Sequence, residues 1–383
     1  MRFDFVVLGA TGMQGRIVTR DLLENGYSVL LCGRDKKRVD RILDAYTKTA
    51  FEYFDAIDIK NMTKIIKKSK AKIAVNCVEG DLNLNVLEAC LNAKVHYLDL
   101  GSEIEMTKKQ LEMHQLFKDK GLIGITGCGS VPGVGNVMLN HASKKFDKIN
   151  TIEVGFAWDS NIKKFVVPFS IGSVIWEFTD KATILENNRW RKEIPLETIR
   201  EHYHRVIGKE KEFFARHPEP YTFYHYFRNK GLKNIRFYGG FPKHSFEVIT
   251  TMIDLGLGSE KEIEFKGMKI APIDFLTEVL KDIKYPEGYK EKENLWVKII
   301  GTKTGRKKEV LMECIVPTLK GWEDAGCNID TGMPASIIAQ MIKTGEIKNP
   351  GSYAPEAIVS PEPFFKELRK RKMVIMENGK IIN

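Results

Sequence analysis

The chain has 383 residues, 43% hydrophobic and 29% charged, a length that asks for two domains and a composition that supplies their cores. Apolar runs such as FDFVVLGA and KIAVNCV are too short to cross a bilayer, and the start has no signal-peptide pattern, so a cytoplasmic protein without a membrane partner is expected. The formal charge of +10 arises from signs that alternate along the chain; it suits an anionic small molecule, and nucleic acid is not an expected partner.

In chain order, FDFVVLG reads as a strand buried on both faces. A helix follows with Ile17, Leu22 and Leu23 on one face, stopped by Asn25-Gly26. YSVLLC, AFEYFD, AKIAVNCV, VHYLDL and GLIGITG continue as strands, separated by helices around KKRVDRILDAYTK, NMTKIIKKS, NLNVLEACLNA and MTKKQLEMHQLFKDKG. Strict alternation predicts an α/β domain over residues 1–130, a doubly wound parallel sheet of Rossmann type.

The first strand-to-helix turn carries Gly9, Gly12 and Gly15. There Gly9 permits the tight turn, Gly12 lets a pyrophosphate approach the backbone, and Gly15 lets helix pack on strand. The residues of this loop, Gly9, Ala10, Thr11, Gly12, Met13, Gln14 and Gly15, are therefore dinucleotide-binding candidates, as are Cys77 and Val78 at the end of the fourth strand. At the end of the second strand, Arg34 can clamp a 2′-phosphate, with Lys36, Lys37 and Arg38 adding field. Alternatively Asp35 accepts from a ribose 2′-hydroxyl and Arg34 stacks on adenine. The arginine favours NADP over NAD. Asp58 can accept from the adenine amino group or cap the next helix.

Beyond GITGCGSVPGVGNVML the alternation stops. TIEVGFAW reads as a strand, and LWVKIIGTKTGRKKEVLMECIV as a β-hairpin turning at Gly301 to Arg306. Residues 131–330 are expected to form an α+β substrate and dimerisation domain with a mixed sheet. Residues 331–383, two helices and a hairpin turning at Asn378-Gly379, are expected to pack back on the Rossmann domain. The basic run KELRKRK reads as a solvated helix face.

Asp99 and Cys128 are the catalytic candidates, both at the carboxyl edge of the sheet, where open α/β sheets bind ligands. The alternative readings are a turn acid for Asp99 and a small buried thiol for Cys128. Six cysteines without C-x-x-C spacing, and His202, His204, His217, His225 and His244 without H-x-x-x-H spacing, give no metal site. Arg228 and Arg236 can each clamp a substrate carboxylate.

CVEGDLNLNVLEACLNAKVHYLDLGSE, KGLIGITGCGSVPGVGNVML and TGMPASIIAQMIKTGEIKNPGSYAPEAIVSPEPFFKELRKR resemble segments of the saccharopine dehydrogenase family. The resemblance implies NAD(P)-dependent oxidoreduction at a C–N bond of an amino acid or amino-acid adduct, by a homodimer. It makes Asp99 and the Cys128–Gly133 loop pocket walls; Gly129, Pro132 and Gly133 of that loop, with Arg236, Lys243 and His244, are the substrate-binding candidates. Two departures stand out: Val131 occupies a position where many members carry Asp, and Gly239-Gly240-Phe241-Pro242-Lys243-His244 replaces an arginine-containing stretch. Alternative readings are a reductase for saccharopine or carboxyalkyl-polyamines, and a dinucleotide-binding regulator without turnover.

Overall fold

The computed structural model describes residues 2–101, 103–281 and 283–383. Strands β1 (Phe5–Leu8), β2 (Val29–Gly33), β3 (Thr49–Tyr53), β4 (Ile73–Asn76), β5 (His96–Asp99) and β6 (Ile123–Ile125) alternate with helices, as expected. They lie parallel in the order β6-β5-β4-β1-β2-β3. β1, β2, β4 and β6 are buried along their whole length, which explains their unbroken apolar runs. KKRVDRILDAYTK is not one helix: Asp35 caps a tight turn over Lys36–Val39, and the α-helix is confined to Asp40–Ala45.

The second sheet is mixed. Its strands are β7 (Lys148–Ser160), β8 (Ala182–Glu186), β9 (Arg189–Glu193), β10 (Arg200–His204), β11 (Gly208–Phe214) and β12 (Asn234–Phe241). A free hairpin, β13 (Ile263–Phe265) and β14 (Met268–Ile270), precedes the long pair β15 (Glu291–Lys303) and β16 (Arg306–Pro317). Among the described residues β7 and β12 run parallel and the other pairings of this sheet are antiparallel. The β15–β16 turn falls at Thr304-Gly305, both at positive φ, the two-residue geometry that suits the right-handed twist of the strands.

The C-terminal segment serves both sheets, packing on the Rossmann domain and also extending the second sheet. The helix Ile329–Lys343 lies on the helix Met13–Glu24, and β17 (Gly351–Tyr353) adds a seventh parallel strand beside β6. The final hairpin, β18 (Val374–Glu377) and β19 (Lys380–Ile381), instead pairs with β16. KELRKRK is not wholly a solvated face either. Arg371 is 8% exposed and donates from Nε and Nη2 to the two oxygens of Asp21, at 2.7 and 2.8 Å, tying the chain's end to its first helix.

Candidate active site

Strand order reverses between β4 and β1, so the loops that follow them part and leave a crevice at the carboxyl edge. Gly9, at φ +83°, lies so close to the far wall that a Cβ would sit 2.6 Å from the Cys77 carbonyl oxygen. A Cβ on Gly15 would fall 2.1 Å from the Gly9 oxygen, whereas one on Gly12 would meet only that oxygen, at 3.3 Å. Ala10 is buried and bonded to Cys32, and Thr11 lies against Gly33. Met13 opens a helix that no side chain caps, so its first N–H groups suit a pyrophosphate. Cys77 donates to Leu8, and Val78 to the Asn76 side chain, fixing the opposite wall.

Both acids considered for the adenosine end are engaged as caps. Asp35 accepts from Lys37 N at 3.1 Å and Asp58 from Asn61 N at 2.9 Å. Arg34 is exposed at the end of β2, beside the basic turn, and suits a 2′-phosphate.

Both catalytic candidates lie at the carboxyl edge of the sheet, as expected, and both are buried there. Asp99 is 1% exposed, and its carboxylate accepts from Gly101 N, Gly127 N, Tyr97 Oη and Gln110 Nε2 at 2.6–2.8 Å. It ties the loops after β5 and β6 together and has no face toward the crevice. Cys128 is wholly buried, its Sγ bonded to the Ile125 carbonyl, and burial raises its pKa well above the ordinary thiol value. These surroundings are those of a small buried thiol, the alternative reading of Cys128. Arg236 bonds Glu153 and Glu186, and alternation along β12 puts it on the opposite face from Phe237, away from the crevice. Lys243 is exposed and pairs with Glu247 on its own helix. His244 stands edge-on to Trp158 with Nε2 3.4 Å from Ser160 Oγ. Val131 points into the core against Gly135, so no acid is missing from the pocket edge there.

The loop Cys128–Gly133, which turns across a cis Val131–Pro132 bond, is instead ringed by acids that sequence reading missed. On one side Ser130 bonds Thr331, which bonds Asp330. Asp330 interacts with Glu293 of β15, two residues from Glu291 on the same strand face. On the other side Gly133 N donates to Asn136, whose amide donates to Glu356 at 2.7 Å. Beyond Glu356 comes Glu219, and between Glu219 and Glu177 sits His217, 3.4 and 3.7 Å from their oxygens. Its ring stacks on Phe237 at 3.7 Å. β7 pairs Trp158 with Glu293 and Ser160 with Glu291, so His244 borders this arc. The arc also meets the dinucleotide loop, because Gln14 Nε2 donates to Asn328 at 3.3 Å just before Asp330.

Glu177, Glu219, Glu291, Asp330 and Glu356 each keep at least one buried oxygen without a hydrogen-bond partner. Burial raises the pKa of Glu356 to about 7, against its bonds to Asn136 and Thr222. Burial also raises Glu293 and Asp330, and the nearby Asp330 adds to the rise at Glu293. Burial opposes a charge on His217, but Glu219 and Glu177 outweigh it and lift its pKa to about 9. The arc therefore has more buried acid than its single imidazolium can neutralise.

A Rossmann crevice opening onto a titratable interdomain site defines a dinucleotide-dependent oxidoreductase. Residues 5–125 match the saccharopine dehydrogenase NADP-binding domain and residues 129–374 the saccharopine dehydrogenase C-terminal domain. The chain belongs to the saccharopine dehydrogenase family, and its N-terminal domain binds NADP. It is 26% identical over 381 residues to carboxyaminopropylagmatine dehydrogenase of Synechocystis, covering 95% of this chain and 94% of that one. It is also 26% identical to carboxynorspermidine synthase of Vibrio cholerae, over 87% of this chain and 83% of that one. The fold matches apo saccharopine dehydrogenase (L-Glu forming) of Saccharomyces cerevisiae along both whole chains, with a TM-score of 0.76 at 12% identity.

Proposed function

We propose that the protein reduces the imine formed between a small amino-acid aldehyde and a primary amine of a di- or polyamine, giving a carboxyaminoalkyl-amine. One observation carries the choice of amine: five carboxylates keep buried, unpartnered oxygens, and among the described residues the one basic side chain they engage is His217. Such a site is costly when empty and complementary to a ligand with several ammonium groups. The Synechocystis and Vibrio relatives are named for amine adducts of this kind. A tricarboxylic adduct such as saccharopine would meet acids where it needs cations.

NADPH, when bound, supplies the hydride. Gly9–Gly15 and Arg34 hold the dinucleotide. The acids position the amine and exclude water around the C=N bond. His217, which keeps its proton through neutral pH, donates it to the nitrogen that becomes the secondary amine. The same reading makes the protein a cytoplasmic homodimer. Its six free cysteines suit a reducing compartment, and the exposed Phe265, Met268, Phe275 and Val279 suit a contact with a second copy.

NADPH consumption with a matrix of amino-acid semialdehydes and amines tests the proposal. Turnover is expected with 1,3-diaminopropane or agmatine as the amine. Turnover confined to lysine with a 2-oxo acid would overturn it.

A further inference from the structure

We infer that the cavity beside Arg216 is the subsite for the zwitterionic amino-acid head of the substrate, an inference that rests on the proposed function. This cavity of about 530 Å³ lies between the loop after β5 and the second domain, outside the acid arc. Three acids (Glu103, Glu105 and Asp180) and three bases (Lys181, Lys192 and Arg216) line it. Balanced charge of both signs within one cavity matches a ligand that itself carries both, and matches neither a polycation nor a polyanion.

Its position relative to the arc is set by the chain. Arg216 immediately precedes His217. Asp180 lies three residues after Glu177, one turn along and just past the end of the helix Ile171–Thr179, and Tyr221 lines the cavity from the helix that begins at Glu219. One extended ligand can therefore put cationic amines in the arc and a head group here. Arg216 now bridges Glu103 of the first domain and Asp180 of the second. An arriving α-ammonium takes over the two carboxylates, and the α-carboxylate takes the planar fork of Arg216. Arg236 differs: it is held by Glu153 and Glu186 on the far face of the sheet.

The test uses two ligands that differ only by a carboxylate, 2,4-diaminobutyrate and 1,3-diaminopropane, titrated calorimetrically into the full chain with NADP+. The wild type is expected to bind the amino acid about tenfold or more tightly than the diamine. Arg216→Gln should erase that preference while diamine affinity stays within about twofold to threefold. Should Arg216→Gln fail to fold, Arg216→Lys keeps the charge but not the fork, and the preference should shrink without vanishing. Equal losses for both ligands, or no preference in the wild type, would overturn the assignment and leave Arg216 an interdomain clasp. Preference for the amino acid in a protein that turns over no aldehyde–amine pair would refute the proposed reaction and leave this subsite standing.

Discussion

Gly12 and Gly15 lie three residues apart and bear on different properties. A side chain at Gly12 would meet one protein atom, at 3.3 Å, and otherwise stand where a pyrophosphate approaches. Gly12→Val should therefore fold normally and lose NADPH binding, read by circular dichroism and calorimetry; unchanged affinity would remove the loop from the site. At Gly15 the added atom would overlap the Gly9 carbonyl at 2.1 Å, so Gly15→Val should lose the fold itself. Arg34 decides the coenzyme. With Asp35 occupied as a cap, Arg34→Ala should weaken NADPH binding by about tenfold to a hundredfold and barely change NADH binding. Equal losses for the two would mean that the arginine stacks on adenine.

Among the elements, the Rossmann strands and the long hairpin were legible because each announces itself locally. A buried strand shows an apolar run, and the turn at Thr304-Gly305 shows residues that tolerate positive φ. The acid arc was not legible. Glu177, Glu219, Glu293, Asp330 and Glu356 come from a helix, another helix, a strand and two C-terminal helices, spread over 180 residues, and no spacing links them. Asp99 misled for a related reason: the end of a parallel strand is where ligands bind, but here the acid turns inward to tie loops. Arg371 misled because its neighbours are exposed lysines and arginines while its partner, Asp21, lies 350 residues away. Removing that partner leaves a buried charge. Arg371→Ala should cost about 3–5 kcal/mol in urea unfolding, and a loss under 1 kcal/mol would show the pair to be dispensable.

For the whole molecule the arc sets a pH dependence. The folded-state pKa of Glu356 is raised from 4.5 to about 7, so the stability associated with its proton is complete below about pH 4.5 and lost as pH rises through 7. That displacement is equivalent to about 3 kcal/mol. His217, raised from 6.5 to about 9, acts with the same sign: its contribution is present below 6.5 and gone above 9. The ligand-free protein should thus melt at progressively lower temperature between pH 5 and pH 9. A diamine, whose charge replaces the lost protons, should restore stability most at the alkaline end. A melting temperature flat across this range would contradict the buried charge balance.

That balance can be measured directly as proton exchange on ligand binding. 1,3-Diaminopropane is titrated calorimetrically into the NADP+-loaded protein at pH 7 in two buffers of different ionisation enthalpy, which separates protons released from heat of binding. An ammonium group entering the arc lowers the pKa of Glu356, of the Glu293–Asp330 pair and of His217 together, so binding should release protons, and neutralising Glu219 by Glu219→Gln should weaken it by about tenfold. Binding without proton release, or with uptake, would contradict the assignment of these acids as the amine site.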